Sequence, residues 1–356
     1  MPHANRISRI RSKLAGLELE ALLFFDMRNI RYLVGFSGSD GALLVGENGV
    51  ILMVDGRYVT QAKGEARGAE IFEYSDKIDG IARVVTDAGL RSVGFESVAI
   101  NFDHYLNLKG KLDGLVLKPI SEEINSIRAV KDQDEIELIK KAVEISSRAL
   151  ASTLELVRPG IRERDVALEL EYRMKGKGAE KVSFETIVAS GKNAALPHAT
   201  PGSRRIEDGD FVVIDYGAVY GGYSSDETCT FAVGSVTDRQ KEIYGIVKDA
   251  HDRALDSVKA GVACREVDRV ARNHIESAGL GEYFSHGTGH GVGLDVHEAP
   301  RLSARSEDYL AAGMVITIEP GIYIPDLWGV RIEDMILVEE DGCEVLTRMP
   351  KDLRIL

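Results

Sequence analysis

The chain has 356 residues, more than one hydrophobic core usually organises, so two domains are expected. Its 44 Lys and Arg stand against 57 Asp and Glu, a formal net charge of −13, which argues against nucleic acid or an anionic membrane as a partner because either needs a basic face. Hydrophobic content of 44% is that of an ordinary folded chain, no apolar run approaches the roughly 18 residues of a membrane span, and three cysteines without a CxxC spacing fit a reducing, cytoplasmic setting.

Arg6, Arg9, Arg11 and Lys13 precede any acid, as in a transit peptide. Ile7, Ile10, Leu14 and Leu17 fall at helical spacing, however, so the segment reads as the first helix of a domain. Strands are expected over Ala21 to Phe25, Ala42 to Val45, Val50 to Val54 and Ser92 to Phe95, with a helix over Lys77 to Ala88 and a hairpin turning at Gly46 to Gly49. The glycine-rich stretch Gly35 to Gly41 lacks the endings of a phosphate cradle and reads as a turn. This describes a small α/β domain over residues 1–124. A composition shift near Asn125 opens a second domain, 125–356. Its helices run from Asp132 toward Pro159-Gly160, over Val166 to Met174, from a capping box at Thr237 to Gln240, and over Cys264 to Ala278.

The helix junctions repeat. Val157-Arg-Pro-Gly-Ile161 with Asp165-Val166 matches Val258-Lys-Ala-Gly-Val262 with Glu266-Val267 at one offset of 101 residues. Each copy is followed by a histidine-containing stretch and two acidic strands. Phe211 to Gly217 is a buried-strand pattern carrying Asp215, and Tyr223 to Thr230 carries Asp226. A hairpin centred between Tyr220 and Gly221 sets these two acids directly opposite, with Cβ atoms about 5 Å apart. In the second copy a hairpin centred on Asp326 sets Glu319 opposite Glu333 and turns Arg331 to the same face. Like charges so close need neutralising, and four carboxylates with one imidazole suit a pair of hard or borderline divalent ions.

The imidazole candidate lies in His286-Gly-Thr-Gly-His-Gly-Val-Gly293, where alternate glycines exclude a helix and permit close backbone approach. Four of the eight histidines, His198, His286, His290 and His297, adjoin the acidic hairpins; His3, His104, His251 and His274 read as surface or capping residues.

With these residues the sequence resembles the metallopeptidase family that contains aminopeptidase P, prolidase, methionine aminopeptidase and the metal-free creatinases. VVIDYG, YSSDETCT, HGTGHGVGLDVHE, TIEPGIY and GVRIED stand in family order, and the resemblance covers nearly the whole chain. It implies an α/β (α+β) protein, with an N-terminal creatinase-type α/β domain and a C-terminal pseudo-symmetric pita-bread catalytic domain. It implies that Asp215, Asp226, His290, Glu319 and Glu333 hold two divalent ions per chain, with Asp226 and Glu333 bridging. Mn²⁺ or Co²⁺ is foremost, and Zn²⁺ or Fe²⁺ a further option. The catalytic groups it implies are His198, His297, Glu319 and Arg331. The implied substrate contacts are His198, His286, His297 and Tyr323, with His286 also orienting His290 or its loop.

The implied reaction is hydrolysis of the bond between an N-terminal residue and proline, with the metals making hydroxide available near neutral pH. Glu319 handles the proton, and His198 and His297 steady the oxyanion. Asn29-Ile-Arg-Tyr-Leu33, Gly35 to Gly41 and Asp55-Gly-Arg-Tyr58 are similar to the family's N-terminal domain and to the short bacterial aminopeptidase P-like group. An aminopeptidase is therefore expected ahead of a strict Xaa-Pro dipeptidase, with a non-catalytic scaffold of the same fold, or a creatinase-like amidinohydrolase, as further alternatives. Proline-containing peptides and a second copy in a homodimer are the implied partners. One departure is Cys229, which stands where the family commonly has arginine and reads as a buried, inert thiol.

Overall fold

The computed structural model describes residues 2–120 and 122–356, and their side chains outside 122–125. Contacts divide the chain into two compact units, one ending at Ile127 and one starting at Arg128. The boundary expected between 124 and 125 falls among side chains outside the described ones.

In the first unit, α1 (Pro2–Leu17) buries Ile7, Ile10 and Leu14, the stripe its spacing required. It is followed by β1 (Ala21–Phe24), α2 (Met27–Val34), β2 (Ala42–Gly46), β3 (Val50–Asp55), α3 (Val59–Glu65), β4 (Glu70–Tyr74), α4 (Lys77–Asp87), β5 (Ser92–Glu96), α5 (Phe102–Lys111) and β6 (Val116–Ile120). The strands form one six-stranded sheet in the order β4-β3-β2-β1-β5-β6. The sheet is mixed: β1, β2 and β3 pair antiparallel, and β4, β5 and β6 join in parallel. The stretch from Gly35 is a turn, with Gly35 closing α2 at φ +81°.

The unit boundary falls inside α6 (Glu122–Ala129), and the second unit is built twice. Its first half holds α7 (Gln133–Thr153), α8 (Glu163–Gly176), β7 (Lys181–Val182), β8 (Ile187–Ser190), β9 (Phe211–Tyr216), β10 (Ala218–Tyr220), β11 (Tyr223–Ser224) and β12 (Glu227–Ala232). The second half holds α9 (Asp238–Asp256), α10 (Cys264–Ser277), β13 (Gly289–Gly291), β14 (Glu298–Leu302), β15 (Val315–Ile318), β16 (Gly321–Ile324), β17 (Trp328–Arg331), β18 (Asp334–Val338) and β19 (Cys343–Val345). Each helix pair shares a core with its own strands: Ile145, Val166 and Leu170 with Val212 and Ile214, and Ile243, Val247 and Val267 with Ile316 and Ile336.

The repeat read from the sequence is structural. Gly160 and Gly261, 101 positions apart, turn at φ +93° and +84°, where a Cβ would be strained. Each donates its N–H across the unit, to the carbonyls of Ile206 and Leu310, and those residues return their own N–H to Ile161 and Val262. Each helix–turn junction is thus locked to a returning segment by the same bonds in both copies.

The two acidic hairpins differ in register. The second follows its expected centre, with Ile324 opposite Trp328 and Ile318 opposite Asp334, a register that carries Glu319 to Glu333. The first does not. Gly221 and Gly222 both take positive φ, +60° and +83°, and form a two-residue turn, so Tyr220 pairs with Tyr223 and Asp215 with Thr228. Asp226 therefore lies diagonal to Asp215 rather than opposite it. Because the slip is two residues, the side-chain period of two keeps both acids on one face.

Candidate metal centre

Backbone geometry explains why these segments converge. A Cβ on Gly217 would sit 2.0 Å from the Ser225 carbonyl, and one on Gly289 would sit 2.0 Å from that of Thr317. Both close approaches need glycine. Asp215 lies near the end of β9, Asp226 just before β12, His290 within β13, Glu319 just after β15, and Glu333 between β17 and β18.

Ligand-capable atoms of Asp215, Asp226 and Glu333 lie within 4.8 Å of one another, as do those of His290, Glu319 and Glu333. His290 Nε2 is 3.3 Å from Glu319 Oε1 and 3.6 Å from Asp226 Oδ2. All five expected ligands thus come together. The exposed His297 joins Asp226 and His290 in a third such group, and its ring meets that of His290 edge-on at 4.3 Å.

The electrostatics of the cluster are unfavourable by themselves. Burial, reinforced by Glu333, Asp215 and Glu319, pushes the Asp226 carboxyl well above the usual range. Burial and the neighbouring acids do the same to Glu333, and burial raises Asp215 against the pull of Arg331. Glu319 goes the other way, down to about 2, because burial is outweighed by its bond to His290 and by nearby cationic groups. Asp215 Oδ1 and Glu333 Oε1 are buried with no hydrogen-bond partner. Orphaned carboxylate oxygens aimed into a ring of acids are a cost unless a cation completes them, so the residues fit divalent metal ions.

Arg331 organises one side of the cluster. Its Nη2 donates to Asp215 Oδ2 at 2.7 Å, its Nη1 to the Tyr323 hydroxyl at 2.9 Å and the Pro197 carbonyl at 3.2 Å, and its Nε to Thr228 at 3.1 Å. Pro197 precedes the exposed His198, so the same guanidinium steadies that segment. The His286 Nδ1 lies 2.8 Å from the Gly287 carbonyl, which places its proton there and lets Nε2 accept from the Tyr323 hydroxyl at 2.9 Å. Burial lowers the pKa of His286, in keeping with a neutral ring.

Sequence reasoning missed the threonines. Thr228 donates to Glu333 Oε2 at 2.7 Å, Thr230 donates to the Arg331 carbonyl at 2.8 Å, and Thr317 accepts from the His290 N–H at 3.1 Å. The signal was available in the alternation Asp226, Thr228, Thr230, which puts all three on one face of a strand.

The residues next to two of the acids, Glu227 and Asp334, face the other way. Lys351 Nζ lies 2.7 Å from Glu227 Oε1, 3.3 Å from Asp334 Oδ1 and 3.4 Å from Cys229 Sγ. Cys229 is buried as expected, and burial pushes its thiol up to about 12. His251, expected at the surface or at a cap, is instead buried, with Nε2 3.1 Å from Asp334 Oδ2. It sits on the core-facing stripe of α9, where an acid from a distant strand can receive it.

A duplicated α/β unit whose hairpins pool four buried or half-buried carboxylates with one imidazole defines a divalent-metal enzyme. Residues 137–340 match the metallopeptidase family M24, and residues 6–130 match the creatinase/prolidase N-terminal domain. The chain belongs to the M24 metallopeptidases, with a creatinase/prolidase-type domain ahead of the catalytic one. An Xaa-Pro dipeptidase of Pyrococcus horikoshii is 42% identical over 94% of each chain. The structure of an Xaa-Pro dipeptidase from Bacillus anthracis superposes with a TM-score of 0.97 at 42% identity, covering 99% of this chain and 100% of that one. That of an X-Pro aminopeptidase from Thermotoga maritima gives 0.91 at 38%, with the same coverage. Membership implies divalent metal ions. No helix among the described residues is long and apolar enough to cross a membrane.

Proposed function

We propose that the chain is an Xaa-Pro exopeptidase acting on the Xaa-Pro dipeptide, with two divalent ions, Mn²⁺ or Co²⁺ foremost, held by Asp215, Asp226, His290, Glu319 and Glu333. The observation that carries the reading is the cluster of four carboxylates with His290, in which Asp226 and Glu333 are buried and Asp215 and Glu319 partly so, with two oxygens left without partners. The dipeptide is favoured over the longer substrates of an aminopeptidase by the full-length likeness to Xaa-Pro dipeptidases. The aminopeptidase reading is kept as second because of the Thermotoga relative.

Bound there, the ions would supply Lewis acidity and a water acidic enough to ionise near neutral pH. Glu319, whose Oε1 lies 3.3 Å from His290 Nε2 within the carboxylate cluster, is the group placed to accept a proton and return it to the departing proline nitrogen. His297, its ring edge-on to that of His290 at 4.3 Å and its pKa lowered by partial desolvation and by His290, is placed to donate one N–H to the developing oxyanion, together with His198. Arg331 and Tyr323, hydrogen-bonded to each other, hold Asp215 and the Pro197 carbonyl in place. The same reading divides the chain into an N-terminal domain over 1–124 and a catalytic domain over 125–356. It has the chain working as a homodimer in the cytoplasm on proline-containing peptides.

The test is turnover of Xaa-Pro against Xaa-Pro-Yaa-Zaa peptides with Mn²⁺ or Co²⁺ added, alongside elemental analysis. Cleavage confined to the dipeptide is expected. Cleavage of the tetrapeptide favours the aminopeptidase, and no turnover with no bindable metal removes both readings.

A further inference from the structure

His297 is exposed, and among the described residues no hydrogen bond holds its ring. A catalytic imidazole without a bonded partner depends on its backbone for orientation. That backbone is gripped from both sides. Asp295 and Glu298, two residues before and one after His297, converge on a pair of cations from the start of the second unit. Arg128 Nη2 lies 2.7 Å from Asp295 Oδ2 and also bonds Glu298 Oε2, while Lys131 Nζ lies 2.8 Å from Glu298 Oε1. The Lys131 side chain is fully buried, and those of Arg128 and Glu298 are 6% and 8% exposed.

The anchor is itself fixed. Lys131 donates its N–H to the Gly313 carbonyl at 2.8 Å, Val130 bridges to Met314, and Lys131 Nζ also bonds the Ala129 carbonyl at 3.0 Å. Glu298 reaches the glycine-rich loop as well: a Cβ on Gly293 would meet its Oε1 at 2.5 Å, and Gly293 donates its N–H to the Asp295 carbonyl at 2.9 Å. Gly291, one residue after the ligand His290, pairs with Glu298 across the β13–β14 ladder. A charged clamp therefore brackets His297 and ties its segment to the one that carries His290.

We propose that Arg128 and Lys131 are positioning residues for the reaction, and that through Asp295 and Glu298 they set where the His297 imidazole stands over the metal centre. Exposed salt bridges tolerate loss, but Arg128, Lys131 and Glu298 are desolvated, with Asp295 at the rim, so removing one of those partners leaves a buried charge that drags its segment with it. The inference rests on the role given to His297 above.

Arg128→Met, Arg128→Lys and Asp295→Asn test it in the full-length protein. Arg128→Met is expected to lower kcat toward Xaa-Pro about 10²-fold, with KM little changed, because a small misplacement of a catalytic group has that effect. Mn²⁺ affinity measured by calorimetry is expected to hold, and Arg128→Lys to recover most of the rate. In a His297→Ala background Arg128→Met is expected to cost nothing further; full multiplication of the two losses overturns the proposal.

One measurement, made on both Arg128→Met and Asp295→Asn, does not depend on turnover. In the long-range ¹H–¹⁵N spectrum, the His297 ring signal, assigned by its loss in His297→Ala, is expected to shift or broaden in Arg128→Met and, more mildly, in Asp295→Asn. An unchanged signal overturns the proposal even if no Xaa-Pro peptide is cleaved, which is the result that removes the functional reading instead. If Arg128→Met does not fold, Asp295→Asn carries the same comparison.

Discussion

Lys351 offers the sharpest test of how the acidic strands are held. Its ammonium lies between Glu227 and Asp334, the first residues of β12 and β18, each directly after one of the clustered acids, Asp226 and Glu333. The side chains of Lys351, Glu227 and Asp334 are 7%, 0% and 7% exposed, so water screens none of the three. Burial, which disfavours the ammonium, is outweighed by Cys229, Glu227 and Asp334, and Lys351 stays well above the usual lysine range. Lys351→Met keeps the volume and removes the charge. Stranding a buried carboxylate in this way costs about 3–5 kcal/mol. Ser147 and Tyr216 still bond Glu227 Oε2, at 2.9 and 2.6 Å, which favours the lower end of that range.

For a unit of 150–250 residues each kcal/mol moves the melting temperature by about 2–4 °C, so a fall of roughly 6–12 °C is expected for a loss of about 3 kcal/mol. Scanning calorimetry of the metal-free protein measures it directly. Adding Glu227→Gln to Lys351→Met removes the stranded charge and is expected to recover part of the loss. A fall of under about 2 °C places the pair with exposed salt bridges, and a double variant as unstable as the sum of its parts refutes the charge argument.

Three further outcomes follow from the buried charges. Glu298 has its pKa lowered below 4.5, because the burial that raises it is outweighed by Lys131 and Arg128. Its contribution to stability is present above the unfolded carboxyl range and lost as pH falls through the lower folded value. Glu298→Gln is therefore expected to melt below the wild type at pH 7, with the gap narrowing as the solution is acidified below about pH 4.5; a gap independent of pH contradicts the assignment. Adding Mn²⁺ to chelator-treated protein is expected to raise the melting temperature, by about 2.7 kcal/mol of stabilisation at a hundredfold excess over Kd. Asp226→Asn, which removes one acid from the cluster, should lose most of that gain and all turnover; an undiminished gain means that the metal binds elsewhere.

Much of this site was legible because its determinants are local. The stripe Ile7, Ile10, Leu14 defines α1, the turn centred on Asp326 sets a hairpin register, and the repeated glycines 160 and 261 mark equivalent turns. Periodicity and turn chemistry act over a few residues, and the spacing of acids along the strands decided which faces they share. Tertiary structure decided the rest. It chose the turn at Gly221-Gly222, where two positive φ angles shifted Asp226 from opposite Asp215 to diagonal. It buried His251 against Asp334, and it brought Lys351 to Glu227 across 124 positions and Arg128 to Glu298 across 170. Nothing in the local pattern distinguishes those lysines and arginines from solvated ones. A charge is retained in a core only where its partner arrives, and which partner arrives is set by how the strands and the entering segment pack.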